Sequence, residues 1–148
     1  MPKLDLAAIE ATNRTGYPPE HARAVADRWV RRLAPAAGLT DFGASHVTLK
    51  PGARSSQRHW HAEEDELVVM LAGEAVLVDD NGRTPMRPGD VAVFPKGDRN
   101  GHHLVNESGQ DCVFVAIGRP PQGLCGYPDI DMHYRGDTGF TRKDGSPL

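Results

Sequence analysis

From Ser45 onward, apolar and polar residues alternate with a period of two. Val47 and Leu49 fall on one side of the alternation and His46, Thr48 and Lys50 on the other, up to a turn at Pro51-Gly52. This predicts a half-buried strand with His46 on its outer face. Glu66-Leu-Val-Val-Met-Leu71 and Glu74-Ala-Val-Leu-Val-Asp79 read as further strands with Gly73 as the turn between them. Asn81-Gly82 is a hairpin signal, because this dipeptide tolerates the positive φ angles of a type I′ turn. Pro88-Gly89-Asp90 makes another turn before Val91-Ala-Val-Phe94, which Pro95 stops. A polar loop over 96–101 leads to His103-Leu-Val-Asn106, a turn at Glu107-Ser-Gly-Gln110, and the apolar strand Cys112-Val-Phe-Val-Ala-Ile117. Short strands punctuated by Gly, Pro, Asn and Asp predict an all-β antiparallel sandwich or barrel.

The flanks are patterned differently. In residues 1–44, Ala22, Val25, Trp29 and Leu33 recur at intervals of three and four. That spacing predicts a short amphipathic helix with Arg23, Arg28, Arg31 and Arg32 in solvent. Residues 119–148 are rich in turns, with Tyr127, Ile130, Met132 and Tyr134 as anchors for a tail that wraps the barrel. The organisation expected is an N-terminal extension over 1–44, a barrel core over 45–118 and a C-terminal tail over 119–148.

Composition narrows this further. A chain of 148 residues suits one domain. A net charge of -3 and an isoelectric point near 6.1 give no reason to expect nucleic acid or an anionic membrane as partner. Cys112 and Cys125 lack CxxC spacing and disulfide density, which fits a reducing compartment. Without a leader-like N-terminus or a run of apolar residues long enough to cross a bilayer, the expectation is a cytoplasmic protein.

The chemistry concentrates at His59-Trp60-His61-Ala62-Glu63-Glu64-Asp65-Glu66. Side chains two apart on a strand share a face, so His59 and His61 can both turn inward while Trp60 turns out. A bend through the solvated acids Glu63 to Asp65 resets the phase and lets Glu66 face inward with Val68 and Met70. Imidazoles with one carboxylate suit a divalent transition metal, Fe, Mn, Zn, Ni, Co or Cu, rather than a structural thiolate site. A fourth ligand comes from His102 or His103, which hydropathy does not separate. Arg54, Arg58, Lys96 and Arg99 flank the mouth as candidates for attracting an anionic substrate. Gln57 has the histidines' parity and is a candidate for orienting them by hydrogen bonding.

These residues resemble the two motifs of the cupin superfamily. The first runs glycine, five residues, HxH, three or four residues, glutamate, six residues, glycine. It is met by Gly52, His59, His61, Glu66 and Gly73, with six residues before the first histidine. The second runs glycine, five residues, PxG, two residues, histidine, three residues, asparagine. It is met by Gly89, Pro95, Gly97, His102 and Asn106, with four residues after Gly97. The resemblance implies a double-stranded β-helix, or jelly-roll, barrel and one metal ion held by His59, His61, Glu66 and His102. It prefers His102 because Asn106 follows at the motif's distance, and makes Asn106 a second candidate for supporting the ligands. Both departures lengthen a loop beside the site.

Four protein ligands leave positions open on a five- or six-coordinate ion for a small oxygen-rich substrate. The expectation is a metalloenzyme of dioxygenase, sugar isomerase or epimerase, or decarboxylase/lyase type. The alternative is a non-catalytic metal- or ligand-binding module serving as sensor or store. The resemblance also implies a homodimer, in which the basic segment bearing Trp29 covers a neighbouring barrel.

Overall fold

The structure, a computed structural model, describes residues 2–148. Among these, strands β1 to β12 form three antiparallel sheets. The largest joins β1 (Arg28–Arg32), β2 (Gly43–Leu49), β9 (Cys112–Gly118), β4 (Glu66–Ala72) and β7 (Val91–Phe94) in that spatial order. A second joins β6 (Gly82–Met86), β5 (Ala75–Asp79) and β8 (His103–Val105). The third joins β12 (Gly139–Thr141), β11 (Met132–Arg135), β10 (Leu124–Tyr127) and β3 (Trp60–His61). This is the antiparallel all-β architecture that the period-two pattern predicts, in the jelly-roll form that the motif resemblance implies. Its main core gathers the inward positions Val47, Leu49, Val68, Met70, Leu104 and Phe114. No helix among the described residues is long and apolar enough to cross a membrane.

The N-terminal segment departs from the expected helix. Over the expected stretch a single α-helical turn forms, α1 at Pro19–Ala22, continued by a 3-10 turn to Val25, whose side chain is fully buried, and a second short helix, α2 at Leu33–Ala37, follows only after an intervening strand. From Arg28 the chain is a strand, pairing with β2 from Arg28↔Leu49 to Arg32↔Ser45. A helix this short gains little by itself in water, whereas the open edge of β2 supplies a full ladder for Trp29 and Val30, which favour strands. The segment thus completes its own barrel's sheet, and Arg28, Val30 and Arg32 come to share one face. Arg31 is not free in solvent either, since its Nε donates to the Ile9 carbonyl at 3.0 Å.

The β5–β6 hairpin lies where Asn-Gly placed it, but its turn differs. Asp79 pairs with Gly82, so the loop is Asp80-Asn81, and among the described residues none other than glycine has positive φ. The Asp79 carboxylate accepts from the Asn81 N–H at 2.9 Å, and this side-chain bond closes the turn without a type I′ backbone.

The C-terminal residues form a meander, β10 to β12, around a small aromatic core of Tyr127 and Met132 with Tyr17, Tyr134 and Phe140 packed on it. β10 pairs with β3 through Cys125↔His61 and Gly126↔Trp60. The tail therefore positions the strand that carries His61. A Cβ on Gly126 would lie 2.4 Å from the Trp60 ring, so only glycine lets the two strands approach with Trp60 facing outward, where Arg99 covers it at 5.4 Å.

Candidate metal centre

His59 and His102 are brought together by the backbone. They form an isolated antiparallel bridge, with His59 N–H donating to the His102 carbonyl at 3.2 Å and the reverse bond at 2.9 Å. Two residues along, Ser55 N–H donates to the Leu104 carbonyl at 2.8 Å. Between these contacts one chain spends Ser56, Gln57 and Arg58 and the other only His103, so the longer loop is absorbed as a bulge. His61 follows on β3, and Glu66 opens β4 with Val68 and Met70 buried on its face.

Four ligand atoms converge. His59 Nε2 lies 3.1 Å from His61 Nε2. Glu66 Oε2 lies 3.2 Å from His61 Nε2, 3.8 Å from His102 Nε2 and 3.9 Å from His59 Nε2. The tautomers suit ligation. His59 Nδ1–H donates to the Gln57 carbonyl at 2.9 Å, and His102 Nδ1–H to the Asn100 carbonyl at 3.1 Å, which leaves each Nε2 with its lone pair. His102 Nε2 is buried without a hydrogen-bond partner, an expensive arrangement that a cation would relieve. Phe94 stacks on the His102 ring at 3.5 Å and fixes its plane. The donors fit a divalent transition metal in two overlapping groups, His59 with Glu66 and His102, and His59 with His61 and Cys125; His61, 3.2 Å from Glu66, extends the first to three imidazoles and one carboxylate.

Electrostatics set the ligand groups apart. Burial pushes His59 down to about 4, so its ring is neutral at physiological pH. Burial also opposes charge on His61, but contacts with Cys125 and Glu66 outweigh it and hold the ring at about 10. Glu66 is likewise penalised by burial, yet the surrounding His102, His61 and His59 rings keep its carboxyl well below the usual range.

The other sequence candidates fall elsewhere. His103 is buried but turned away, its Nδ1 donating to the Ser56 carbonyl at 3.0 Å. Gln57 supports His59 through its backbone carbonyl, while its side chain donates to the His21 carbonyl at 3.1 Å. Asn106 contacts no metal ligand; it ties two loops together by hydrogen bonds to Leu49, Ser108 and Gln110. Arg54 and Lys96 are exposed, and Arg99 lies on Trp60. Arg58 is not available for an anion, because it grips Asp129 through Nε and Nη2 at 2.9 and 2.8 Å and also contacts Asp80 and the Gly101 carbonyl. Arg58→Ala should lower stability by about 1 kcal/mol, given the solvent screening of its partners. Ligand affinity measured alongside thermal unfolding should be unaffected by this substitution.

Two neighbours of the cluster differ from what the sequence pattern predicts. Cys125, read only as a marker of compartment, places its Sγ within 4.8 Å of ligand atoms of His59 and His61. Nothing in the spacing signals this, since it depends on β10 pairing with β3. Glu64, expected in a solvated bend, is only 3 % exposed. Its Oε1 accepts from Gln122 and Gly123 N–H at 2.6 and 3.1 Å. Its Oε2 lacks a hydrogen-bond partner and lies 3.8 Å from His61 Nδ1.

The cluster opens into a cavity of about 590 Å³, whose wall includes Tyr17, Arg28, Glu64, Phe114 and Tyr127. The fold and the site together define a jelly-roll barrel whose imidazoles and carboxylate converge on a cavity and could hold a metal ion. The chain belongs to the cupin family: the cupin domain profile matches residues 45–118. It is 46% identical to a sugar phosphate isomerase of the cupin superfamily from Silicibacter pomeroyi DSS-3, covering 99% of this chain and 96% of that one with a TM-score of 0.93. It is 28% identical to a protein provisionally named a sugar phosphate isomerase from Acidithiobacillus ferrooxidans, covering 77% and 74% of the two chains with a TM-score of 0.71. The polyketide cyclase RemF of Streptomyces resistomycificus shares the fold at 20% identity and a TM-score of 0.69, covering 88% and 87%. No curated protein matches the sequence.

Proposed function

We propose that this protein is a metal-dependent isomerase of a phosphorylated sugar. The observation that carries the reading is near full-length likeness to the Silicibacter pomeroyi sugar phosphate isomerase, joined to a cavity into which the three histidines and Glu66 converge. A divalent ion held by His59, His61, Glu66 and His102 would supply Lewis-acid polarisation of adjacent sugar oxygens. The chain's own groups do the rest. Tyr17 and Tyr127 line the cavity with their rings edge-on at 5.9 Å, and burial raises both phenols, so they remain O–H donors at neutral pH for orienting sugar hydroxyls. Aldose–ketose exchange takes a proton from carbon 2 and returns one to carbon 1. Glu64 Oε2, unpartnered at the cavity wall, is the atom assigned to take it up.

The test incubates metal-loaded protein with aldose and ketose phosphates in heavy water and follows both isomers by NMR. Interconversion with deuterium entering at carbon 1 or 2 is expected, and Glu64→Gln should keep its metal but lose at least about 100-fold in turnover. Binding of these sugars without any conversion would leave a binding module and sink the isomerase.

A further inference from the structure

Because β1 is a strand, Arg28, Val30 and Arg32 face the same way, and all three line the cavity that contains the metal cluster. Arg28 is the inner of the two arginines. Its Nη1 donates to the Ser55 carbonyl at 2.7 Å, while its buried Nε has no partner. That leaves the Nε–Nη2 edge, the fork that guanidinium presents to phosphate or carboxylate oxygens. Among the described residues no carboxylate pairs with Arg28; its charged and polar neighbours are Arg32 and the phenols of Tyr17 and Tyr127. Desolvation accordingly pulls its pKa below the ordinary guanidinium value.

The acids of the cavity are engaged elsewhere. Glu66 faces the histidines, Asp65 accepts from the Lys96 N–H, and Glu64 is anchored through Oε1 by Gln122 and Gly123 with its free Oε2 on the His61 side. A desolvated cation without a counter-charge is costly, and an apolar residue would pack there at less expense. The exposed Arg32 and Arg119 also line the cavity, so positive charge runs from solvent toward Arg28.

We propose that Arg28 is the anion-binding residue of the substrate cavity, taking the phosphoryl group of a small sugar while the sugar's hydroxyl and carbonyl end faces His59, His61, Glu66 and His102. The identity of the sugar rests on the isomerase reading; the demand for an anion rests on the unpaired guanidinium. Anion recognition then lies not with Arg54, Arg58, Lys96 and Arg99 but on β1, a strand where the sequence pattern predicts a helix.

The experiment uses metal-loaded, full-length protein and titrates fructose 6-phosphate and fructose by calorimetry. The wild type should prefer the phosphorylated sugar by about 30-fold or more. Arg28→Gln should lower that preference to within about threefold with fructose affinity and metal content unchanged, and Arg28→Lys should restore part of it through charge without the fork. A preference that survives in Arg28→Gln overturns the assignment. Should Arg28→Gln not fold, the wild type decides: inorganic phosphate at constant ionic strength must raise the melting temperature and displace fructose 6-phosphate but not fructose. Absence of either effect overturns the proposal as well. Turnover is read in neither arm, so sugar phosphate held through Arg28 but never converted would fail the isomerase and leave the anion site standing.

Discussion

His61→Ala and Glu66→Ala should each weaken metal affinity by about 100-fold or more, since a ligand is lost rather than one of its supports. Elemental analysis after desalting should find close to one ion per wild-type chain and little in either variant. His102→Ala should behave alike, because its Nε2 is aimed at the Glu66 carboxylate and its Nδ1 is held by Asn100. His103→Ala should keep the ion, since that ring is directed at the Ser56 carbonyl. A stoichiometric ion persisting in both His61→Ala and Glu66→Ala would remove the site. The sign of the pH dependence follows from His61. With its ring held at about 10, metal must displace its proton at neutral pH. Binding should thus release about one proton per ion at pH 7, with affinity rising as pH approaches that value, both measurable by calorimetry in buffers of different ionisation enthalpy.

Asn106→Ala should cost about 2–4 kcal/mol of stability without touching the metal. The side chain is fully buried. Its amide donates to Leu49 and Gln110 carbonyls at 2.9 and 2.7 Å, and its oxygen accepts from Ser108 N–H and Oγ at 3.0 and 2.7 Å. Alanine satisfies none of these and withdraws the buried donors from the Leu49 and Gln110 carbonyls. For a chain of this size the melting temperature should fall by roughly 5–12 °C. Metal per folded chain should stay at the wild-type level; its loss in step with stability would instead make Asn106 a support of the ligands.

Strand positions from β2 to β9 were legible because a sheet with one buried face imposes a two-residue period, and Val47, Leu49, Val68 and Met70 obey it. The inward turn of Glu66 was legible for a related reason: the polar run before it breaks the strand and frees the phase. The N-terminal helix misled because Ala22, Val25, Trp29 and Leu33 satisfy a helical period, while the decisive interaction, pairing with β2, lies in a distant stretch of the chain. The same holds for Glu64, whose burial depends on N–H groups of Gln122 and Gly123, and for Cys125, which reaches the site only through β10.

The sequence by itself determined the barrel class and the chemical types of the ligands, because periodicity and spacing act locally and survive any arrangement of the rest. The motif spacing prefers His102 to His103, and the tertiary structure supplies the physical reason, since a single cross-strand bridge sets His59 opposite His102 and a bulge takes up the extra loop residues. The tertiary structure alone decided that Arg28 lines the cavity and that Arg58 is spent on Asp129. Each of these is a pairing between residues far apart in the chain, and such pairings are chosen by the free energy of the whole sheet rather than by the pattern of either partner.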